Sequence, residues 1–354
     1  MNIKGRNRKR MNTFDNIIRD LRNIVVQARG HVASSVNYGM TMMYWHIGER
    51  INREVLGNER AQYGKQIVAT VSRQLQEDFG EKGFEPRNIR RMMQFAQQFP
   101  DLQIVTPLVT KLSWSHFLIV MSIKDELQRE FYLTMAASEN WSKRMLQKEI
   151  DSMLFERTAI STKPEELIKT ELANLRDNDV LSPDLVFKSP YFLEFTGLTG
   201  MYSERSLEDS LVAHLEQFIL ELGEGFSFVA RQKRMIIDGQ DFYLDLLFYH
   251  RRLHRLIDID LKLGRFKAQY KGQMELYLRW LEANAMEQGE ETPLGLLLCT
   301  EGNEEQIELL QLDKSGIKVA QYLTALPSRE VLKAQIQKSL EYAKARVENM
   351  IEDD

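Results

Sequence analysis

DFYLDLLFYH at residues 241–250 and DIDLK at residues 258–262 are the two neighbouring stretches that decide the fold. In the first stretch Asp245 is flanked on both sides by large apolar residues, where burial of a lone carboxylate is expensive. In the second stretch charged and apolar residues alternate, so an extended strand places both acids and the lysine on one face. We predict two antiparallel strands that bring Asp245 beside Asp260.

The two acids at positions 245 and 260 indicate the chemistry of this part of the chain. Adjacent carboxylates repel each other and raise each other's pKa unless a cation lies between them. Carboxylate oxygens are hard ligands that select Mg²⁺ or Mn²⁺. Lys262 lies two residues beyond Asp260 and faces the same site, where it can position or activate water and neutralise developing charge. The two strands therefore predict a metal site with a lysine beside it.

The elements around these strands follow an αβββαβ order. An amphipathic helix over Ser206–Leu222 ends at glycines and precedes three strands, and a helix over Phe266–Leu281 leads into a fourth strand. The predicted strands are Phe226–Ile237, Phe242–His250, Leu253–Leu263 and Leu294–Thr300. The first two are joined by a turn at Asp238-Gly239. A further helix and strand and a charged helix from Ser328 onward complete the chain.

Asp245 followed by Asp260-Leu261-Lys262 in this order of elements resembles the PD-(D/E)xK nuclease superfamily. Gln273 and Tyr277 on the next helix are similar to the QxxxY signature of its RecB-type members. The whole chain resembles the bacterial YhcG-like family of nucleases, which pair a helical N-terminal domain with a nuclease domain. The stretches that carry this resemblance are YWHIG at 44–48, LSWSH at 112–116, LLFYHRR at 246–252 and GQMELY at 272–277.

The resemblance implies that the chain hydrolyses phosphodiester bonds, with DNA as the expected substrate and Mg²⁺ or Mn²⁺ as the cofactor. It implies that Asp245 and Asp260 hold the metal, and that the backbone carbonyl of Leu261 adds a ligand. Lys262 would then assist the attacking water. A catalytically inactive nuclease fold that serves as a DNA-binding or assembly module is the alternative.

Three further features of the site follow from the resemblance. Gln273 and Tyr277, one helical turn apart, would contact substrate or brace the lysine strand. Superfamily members often add an acid from the helix before the first strand. Glu216 is the first candidate for this acid and Glu208 is the alternative. Both stay candidates because they lie within roughly one quarter-turn of each other on a helix. Asp258 stands where relatives commonly have a small or apolar residue, so it is either an extra ligand or an outward charge.

The first half of the chain is predicted to be mostly helical. Its main helices are Phe14–Val32, Met40–Val55, Ala61–Phe79 and Pro86–Phe99. The last two, joined by a turn at Gly80–Gly83, predict a helix-turn-helix that binds DNA, and an ordinary helical hairpin with a basic face is the alternative. The candidate DNA contacts on the second helix are Arg87, Asn88, Arg90, Arg91 and Gln94.

We predict an α+β protein with two domains, for which a chain of 354 residues is long enough. A helical, DNA-binding domain covers residues 1–156. Residues 157–190 are polar and irregular and contain several prolines, so they are predicted to be a linker region. Residues 191–354 form an α/β restriction-endonuclease-like domain of the PD-(D/E)xK type with an αβββαβ core.

Composition and charge limit the partners of the chain. Its single cysteine excludes an internal disulfide and suits a reducing cytoplasm, and no apolar stretch is long enough for a membrane helix. Residues 231–272 contain ten Lys or Arg and five acids, which favours a polyanionic partner, and no stretch resembles an RNA-binding module. The candidate DNA contacts in this range are Arg251, Arg252, Arg265 and Lys267. The sequence leaves a homo-oligomer open.

Overall fold

The computed structural model describes residues 37–53, 61–80, 83–301 and 304–352. The chain divides into two compact units, Met1–Gln147 and Lys148–Asp354. The predicted helix Phe14–Val32 lies outside the described residues. None of the helices in the described ranges is long and apolar enough to cross a membrane.

The first unit is helical. Its helices are α1 (37–53), α2 (Ala61–Phe79), α3 (Pro86–Gln98), α4 (Leu102–Lys111), α5 (Trp114–Val120), α6 (Glu126–Ser138) and α7 (Lys143–Asp151), the last of which runs into the second unit. Local sequence explains where several of them begin. Pro86 occupies the first turn of α3, where its missing N–H costs nothing. Asp101 and Asp125 accept hydrogen bonds from backbone N–H groups in the first turns of α4 and α6.

The YWHIG and LSWSH stretches hold the helices of this unit together. Trp45 Nε1 donates a hydrogen bond of 2.8 Å to the carbonyl oxygen of Phe99. A Cβ on Gly48 would lie 1.9 Å from the carbonyl oxygen of Met92, so α1 and α3 are in backbone contact that only glycine allows. His116 caps the start of α5 through its side chain. These stretches are therefore explained by packing and capping.

The polar residues of α3 contribute to this fold. Asn88 Nδ2 donates a hydrogen bond of 2.6 Å to the carbonyl oxygen of Gly83, and Gln94 Nε2 donates one of 3.2 Å to that of Met121. Both side chains therefore take part in hydrogen bonds within the unit. Of the predicted basic contacts, Arg87 and Arg90 are exposed and Arg91 is half-buried.

The second unit contains a six-stranded sheet in the order β1-β6-β5-β4-β3-β2. Its strands are β1 (Tyr191–Phe192), β2 (Phe226–Ile237), β3 (Gln240–His250), β4 (Arg255–Arg265), β5 (Leu294–Glu301) and β6 (Ile317–Leu323). Its helices are α8 (Leu154–Arg157), α9 (Glu165–Asn178), α10 (Glu204–Ala213), α11 (Leu215–Leu222), α12 (Gln269–Asn284), α13 (Glu304–Leu309) and α14 (Arg329–Glu352). Strands β2 to β4 pair antiparallel, and the remaining pairs are parallel. The predicted αβββαβ order is confirmed.

The segment expected to be a linker has more structure than its composition indicates. Residues 165–178 form α9, which buries Ile168, Leu172 and Leu175. These apolar residues recur at spacings of four and three, which is one face of a helix. The surrounding prolines and polar residues obscure that pattern in the sequence, and the expectation of an irregular segment is wrong here.

The sheet is covered on both faces, and this positions the charged residues of β4. Ile257, Ile259 and Leu261 pack in one core cluster with apolar residues of α10 and α11. Alternation along the strand leaves the acids and the lysine on the opposite face, as predicted. On that face a Cβ on Gly295 of β5 would lie 2.5 Å from Sδ of Met274, so glycine lets α12 lie close against the strand.

Candidate active site

The predicted acids and the lysine meet where the pairing of β3 with β4 ends. The last paired residues are Leu246 and Ile259, so the register places Asp245 opposite Asp260. The Leu261 N–H donates a hydrogen bond of 3.0 Å to Asp245 Oδ2, which ties this side chain to β4. Lys262 Nζ lies 2.8 Å from Asp260 Oδ2. The structure therefore brings Asp245, Asp260 and Lys262 together.

Burial and mutual repulsion control the charges in this cluster. Asp260 is 2% exposed and Lys262 is 8% exposed. Burial and the neighbouring Asp260 raise the pKa of Asp245 to about 7. Burial lowers the pKa of Lys262, but the attraction of Asp260 and Asp245 outweighs burial and raises that pKa above its usual value. Lys262 therefore stays charged at neutral pH and partly offsets the two acids.

Asp258 lies on the same face of β4, one step further into the protein. It is 0% exposed, and neither carboxylate oxygen has a hydrogen-bond partner among the described residues. Burial raises its pKa well above the usual value, and the charges of Asp260 and Asp245 add to that shift. Asp258 therefore points inward, and the expectation of an outward charge is wrong.

The donor set of the cluster suits a small divalent cation. Within the described ranges, no group of three or more His, Cys, Asp or Glu side chains is arranged to hold a metal. Mg²⁺ commonly binds through one or two carboxylates and fills its other positions with water and substrate phosphates. Asp245 and Asp260 supply two such carboxylates, and their repulsion is what a cation would relieve. The residues present therefore fit Mg²⁺ or Mn²⁺.

Glu208 of α10 is connected to this cluster through β2. It is 6% exposed. Its Oε1 accepts a hydrogen bond of 2.7 Å from Arg231 Nε, and its Oε2 accepts one of 2.9 Å from Gln232 Nε2. Gln232 Nε2 also donates a hydrogen bond of 3.2 Å to Asp245 Oδ1. Glu208, the alternative helix acid, is thus connected to Asp245 through one side chain, that of Gln232.

Glu216, the first candidate, is exposed on α11 and is absent from the hydrogen bonds described for the cluster. The sequence predicts one helix over residues 206–222, in which Glu208 and Glu216 share a face. The structure has two helices, because His214 leaves helical geometry with φ −113° and ψ 38°. The break removes the common face, and the structure brings Glu208 rather than Glu216 toward the site.

Gln273 and Tyr277 lie on α12. Gln273 Nε2 donates a hydrogen bond of 3.0 Å to Tyr277 Oη. Tyr277 is buried in a core cluster that includes Leu247 and Leu256 of β3 and β4. Burial raises the pKa of Tyr277, and the nearby carboxylates raise it further, whereas its hydrogen bond with Gln273 lowers it. These contacts support the bracing role for Tyr277 over direct contact with substrate.

The predicted basic contacts of this unit lie at two different ends of the hairpin. Arg251 and Arg252 occupy the turn between β3 and β4, which is roughly 20 Å along the strand from Asp245 at about 3.3 Å per residue. The structure does not bring them to the cluster. Arg265 is the last residue of β4 and Lys267 lies two residues beyond it, at the cluster's end of the hairpin, and both are exposed. Arg265 pairs with Glu301 at 2.6 Å.

Sequence reasoning missed three residues that make hydrogen bonds around this cluster. Gln232 and Arg231 hold Glu208, and Glu204 Oε1 accepts a hydrogen bond of 3.0 Å from the N–H of Leu263. One signal was available, because the Asp238-Gly239 turn fixes the hairpin register. Ile237 pairs with Gln240 at that turn, and counting back along both strands places Gln232 opposite Asp245.

We expect the metal-free protein to lose stability as the pH rises from about 4 to about 7. The pKa of Asp245 is raised from 3.8 to about 7, so in this window the folded chain holds a proton that the unfolded chain has lost. The free energy of unfolding then falls by up to about 1.4 kcal/mol per pH unit from Asp245 alone. Asp258, whose pKa is also raised, adds a decrease of the same sign. Urea unfolding between pH 4 and pH 8 measures this slope.

Two comparisons in the same experiment identify the source of the slope. Asp245→Asn should reduce it, because the variant no longer takes up that proton. Saturating Mg²⁺ should also reduce it, because the cation replaces the proton between the acids. An unchanged slope in Asp245→Asn would show that other groups cause it.

Two family models together match most of the chain. The DUF1016 N-terminal domain matches residues 20–157, and the YhcG PDDEXK nuclease domain matches residues 184–341. A protein of Escherichia coli (strain K12) named "Putative nuclease YhcG" is 33% identical to this chain over 308 residues. That match covers 78% of this chain and 81% of the Escherichia coli protein.

Solved structures also match part of the chain. A repair endonuclease from Pyrococcus abyssi is 21% identical, covers 36% of this chain and 50% of its own, and has a TM-score of 0.26. EndoMS in complex with double-stranded DNA is 17% identical, covers 37% of this chain and 49% of its own, and has a TM-score of 0.27. The identity and coverage of the Escherichia coli protein, with the two domain matches, confirm the resemblance seen in the sequence: the chain belongs to the YhcG-like family, in which a DUF1016 N-terminal domain precedes a PD-(D/E)xK nuclease domain.

Proposed function

We propose that this nuclease-family chain hydrolyses phosphodiester bonds of DNA and depends on Mg²⁺ or Mn²⁺. One observation carries the proposal. Asp245 and Asp260 lie opposite each other on neighbouring strands, and Lys262 Nζ lies 2.8 Å from Asp260 Oδ2. Two carboxylates, which are hard oxygen ligands, and a charged lysine at one point of a sheet are suited to binding a divalent cation and a phosphate together.

Each of these residues has a distinct role in the proposal. Asp245 and Asp260 hold the cation, and the Leu261 carbonyl adds a ligand. The hydrogen bond from the Leu261 N–H fixes the orientation of Asp245, as the groups behind metal ligands commonly do. When bound, the cation would polarise the phosphate and offset its negative charge. Lys262, which is charged at neutral pH, orients the attacking water and stabilises the charge that develops.

Charged residues outside the cluster support DNA as the substrate. Arg265 and Lys267 are exposed at the end of the lysine strand, where they can contact phosphates on either side of the cleaved bond. In the other unit, Arg87 and Arg90 are exposed on α3. We propose that α2 and α3 act as a helix-turn-helix that contacts DNA through these arginines. Binding through phosphates should weaken as salt is added.

The experiment that tests the proposal uses the purified full chain and removes the metal. Linear, nicked, single-stranded and branched DNA, together with RNA of matched sequence, are incubated with Mg²⁺, Mn²⁺ or excess EDTA. We expect cleavage of at least one DNA form with either metal, none with EDTA, and recovery when the metal is restored.

Two results would overturn this function. If neither metal supports cleavage of any DNA form while salt-dependent DNA binding persists, the chain is an inactive DNA-binding module. If RNA is cleaved in preference to every DNA form, the substrate class is wrong.

A further inference from the structure

The side chain of Gln232 connects two acids that belong to different elements. Its Nε2 donates to Glu208 Oε2 on α10 at 2.9 Å and to Asp245 Oδ1 on β3 at 3.2 Å. A primary amide has two N–H donors on one nitrogen, so it can serve both carboxylates at once. The other oxygen of Glu208 accepts from Arg231 at 2.7 Å. Both oxygens of Glu208 are thus held, one by each of two consecutive residues of β2.

The backbone of Gln232 is unusual for a residue inside a strand. Its φ is +48°, in the left-handed region that non-glycine residues rarely occupy. The residues on either side keep their pairing, since Arg231 pairs with Leu246 and Lys233 pairs with Leu244. Glycine would adopt this conformation more readily. A long polar side chain at such a position therefore indicates that the side chain itself is needed.

We propose that Gln232 is a positioning residue that holds Glu208 beside Asp245 and thereby sets the affinity of the site for its cation. This inference rests on the metal-dependent function proposed above. Without the amide, Glu208 and Asp245 would share no donor and Arg231 alone would hold Glu208, so the repulsion between the two carboxylates would move Glu208 away from Asp245. Hydrogen bonds that orient acids around a metal commonly change its affinity by 10- to 100-fold, on the order expected for this bridge.

Gln232→Gly distinguishes the contribution of the side chain from that of the backbone conformation. The variant removes the bridge but relaxes the left-handed backbone, so we expect unfolding in urea at the same or a higher concentration than for the wild type. We expect Mn²⁺, measured by isothermal titration calorimetry on the full chain without DNA, to bind about 10- to 100-fold more weakly. Gln232→Asn tolerates the same backbone but has one methylene fewer, so it should lose the same affinity.

Asp238→Gly provides the matched control. Asp238 lies in the same hairpin and has φ +49°, but it is at the turn, away from the acids. This variant should relax the same kind of backbone and leave Mn²⁺ affinity unchanged.

The outcomes separate this inference from the proposed function. If Gln232→Gly binds Mn²⁺ as the wild type does, Gln232 is only structural and the inference is wrong, whereas wild-type binding and DNA cleavage would leave the proposed function standing. If the folded wild type binds neither Mn²⁺ nor Mg²⁺, both the proposed function and the role of Gln232 are wrong. If Asp238→Gly weakens Mn²⁺ binding equally, the effect comes from the hairpin backbone, which also contradicts the role of the amide.

Discussion

Replacement of Asp260 by asparagine is expected to reduce metal-dependent cleavage of DNA on the order of 1,000-fold while the protein remains folded. Asp260 is 2% exposed and lies between Asp245 and Lys262. Asparagine has the same shape but no charge, so it binds a hard cation poorly and no longer pairs with the lysine. Single-turnover cleavage measures the loss, and circular dichroism with thermal unfolding reports on the fold.

Lys262→Met distinguishes metal binding from charge stabilisation in the same cluster. Methionine keeps an apolar stem but removes the ammonium group, whose contacts include the face of Tyr270 at 5.3 Å. We expect Lys262→Met to lose cleavage to a similar extent but to keep Mn²⁺ binding, whereas Asp260→Asn should lose both. Glu282→Gln is the control, because it makes the same kind of acid-to-amide change in the surface ion pair of Glu282 with Arg279. It should leave both cleavage and Mn²⁺ binding unchanged. If Asp260→Asn cleaves DNA at the wild-type rate, Asp260 is not part of the catalytic site.

The arrangement of this cluster follows from local rules that can be read in the sequence. Alternation in residues 258–262 places Asp260 and Lys262 on one face of a strand, and the Asp238-Gly239 turn fixes the hairpin. The structure also explains why that face of the strand is buried. The apolar residues of β4 pack against α10 and α11, so the charged residues must lie under α12.

Other features depend on contacts between elements that are distant in the sequence. The apolar pattern of residues 206–222 is compatible with one helix, but the packing of α10 and α11 against the sheet is achieved with a break at His214. The left-handed backbone of Gln232 is likewise not marked by a glycine or an asparagine. Local propensity therefore fails at the positions that bring Glu208 and Gln232 to the acids, which is where function commonly overrides it.

Glu208→Gln is expected to reduce cleavage on the order of 100-fold, whereas Glu216→Gln is expected to leave the rate within about twofold of the wild type. Glu208 is 6% exposed and is held by Arg231 and Gln232 within one side chain of Asp245. Glu216 is exposed on the other side of the helix break. Glutamine preserves the size of either side chain and an acceptor for its neighbours, so the fold should persist in both variants.

The two variants test which helix acid belongs to the site. Both replace a glutamate by glutamine, so a difference between their cleavage rates comes from the position of the residue. Cleavage rates are measured at several Mg²⁺ concentrations. If Glu208 acts on the cation, its loss should be partly offset by high Mg²⁺, whereas a purely structural role would give a loss that Mg²⁺ does not change. A large loss in Glu216→Gln with none in Glu208→Gln would mean that Glu216 is the helix acid of the site, and the role assigned to the break at His214 would be wrong.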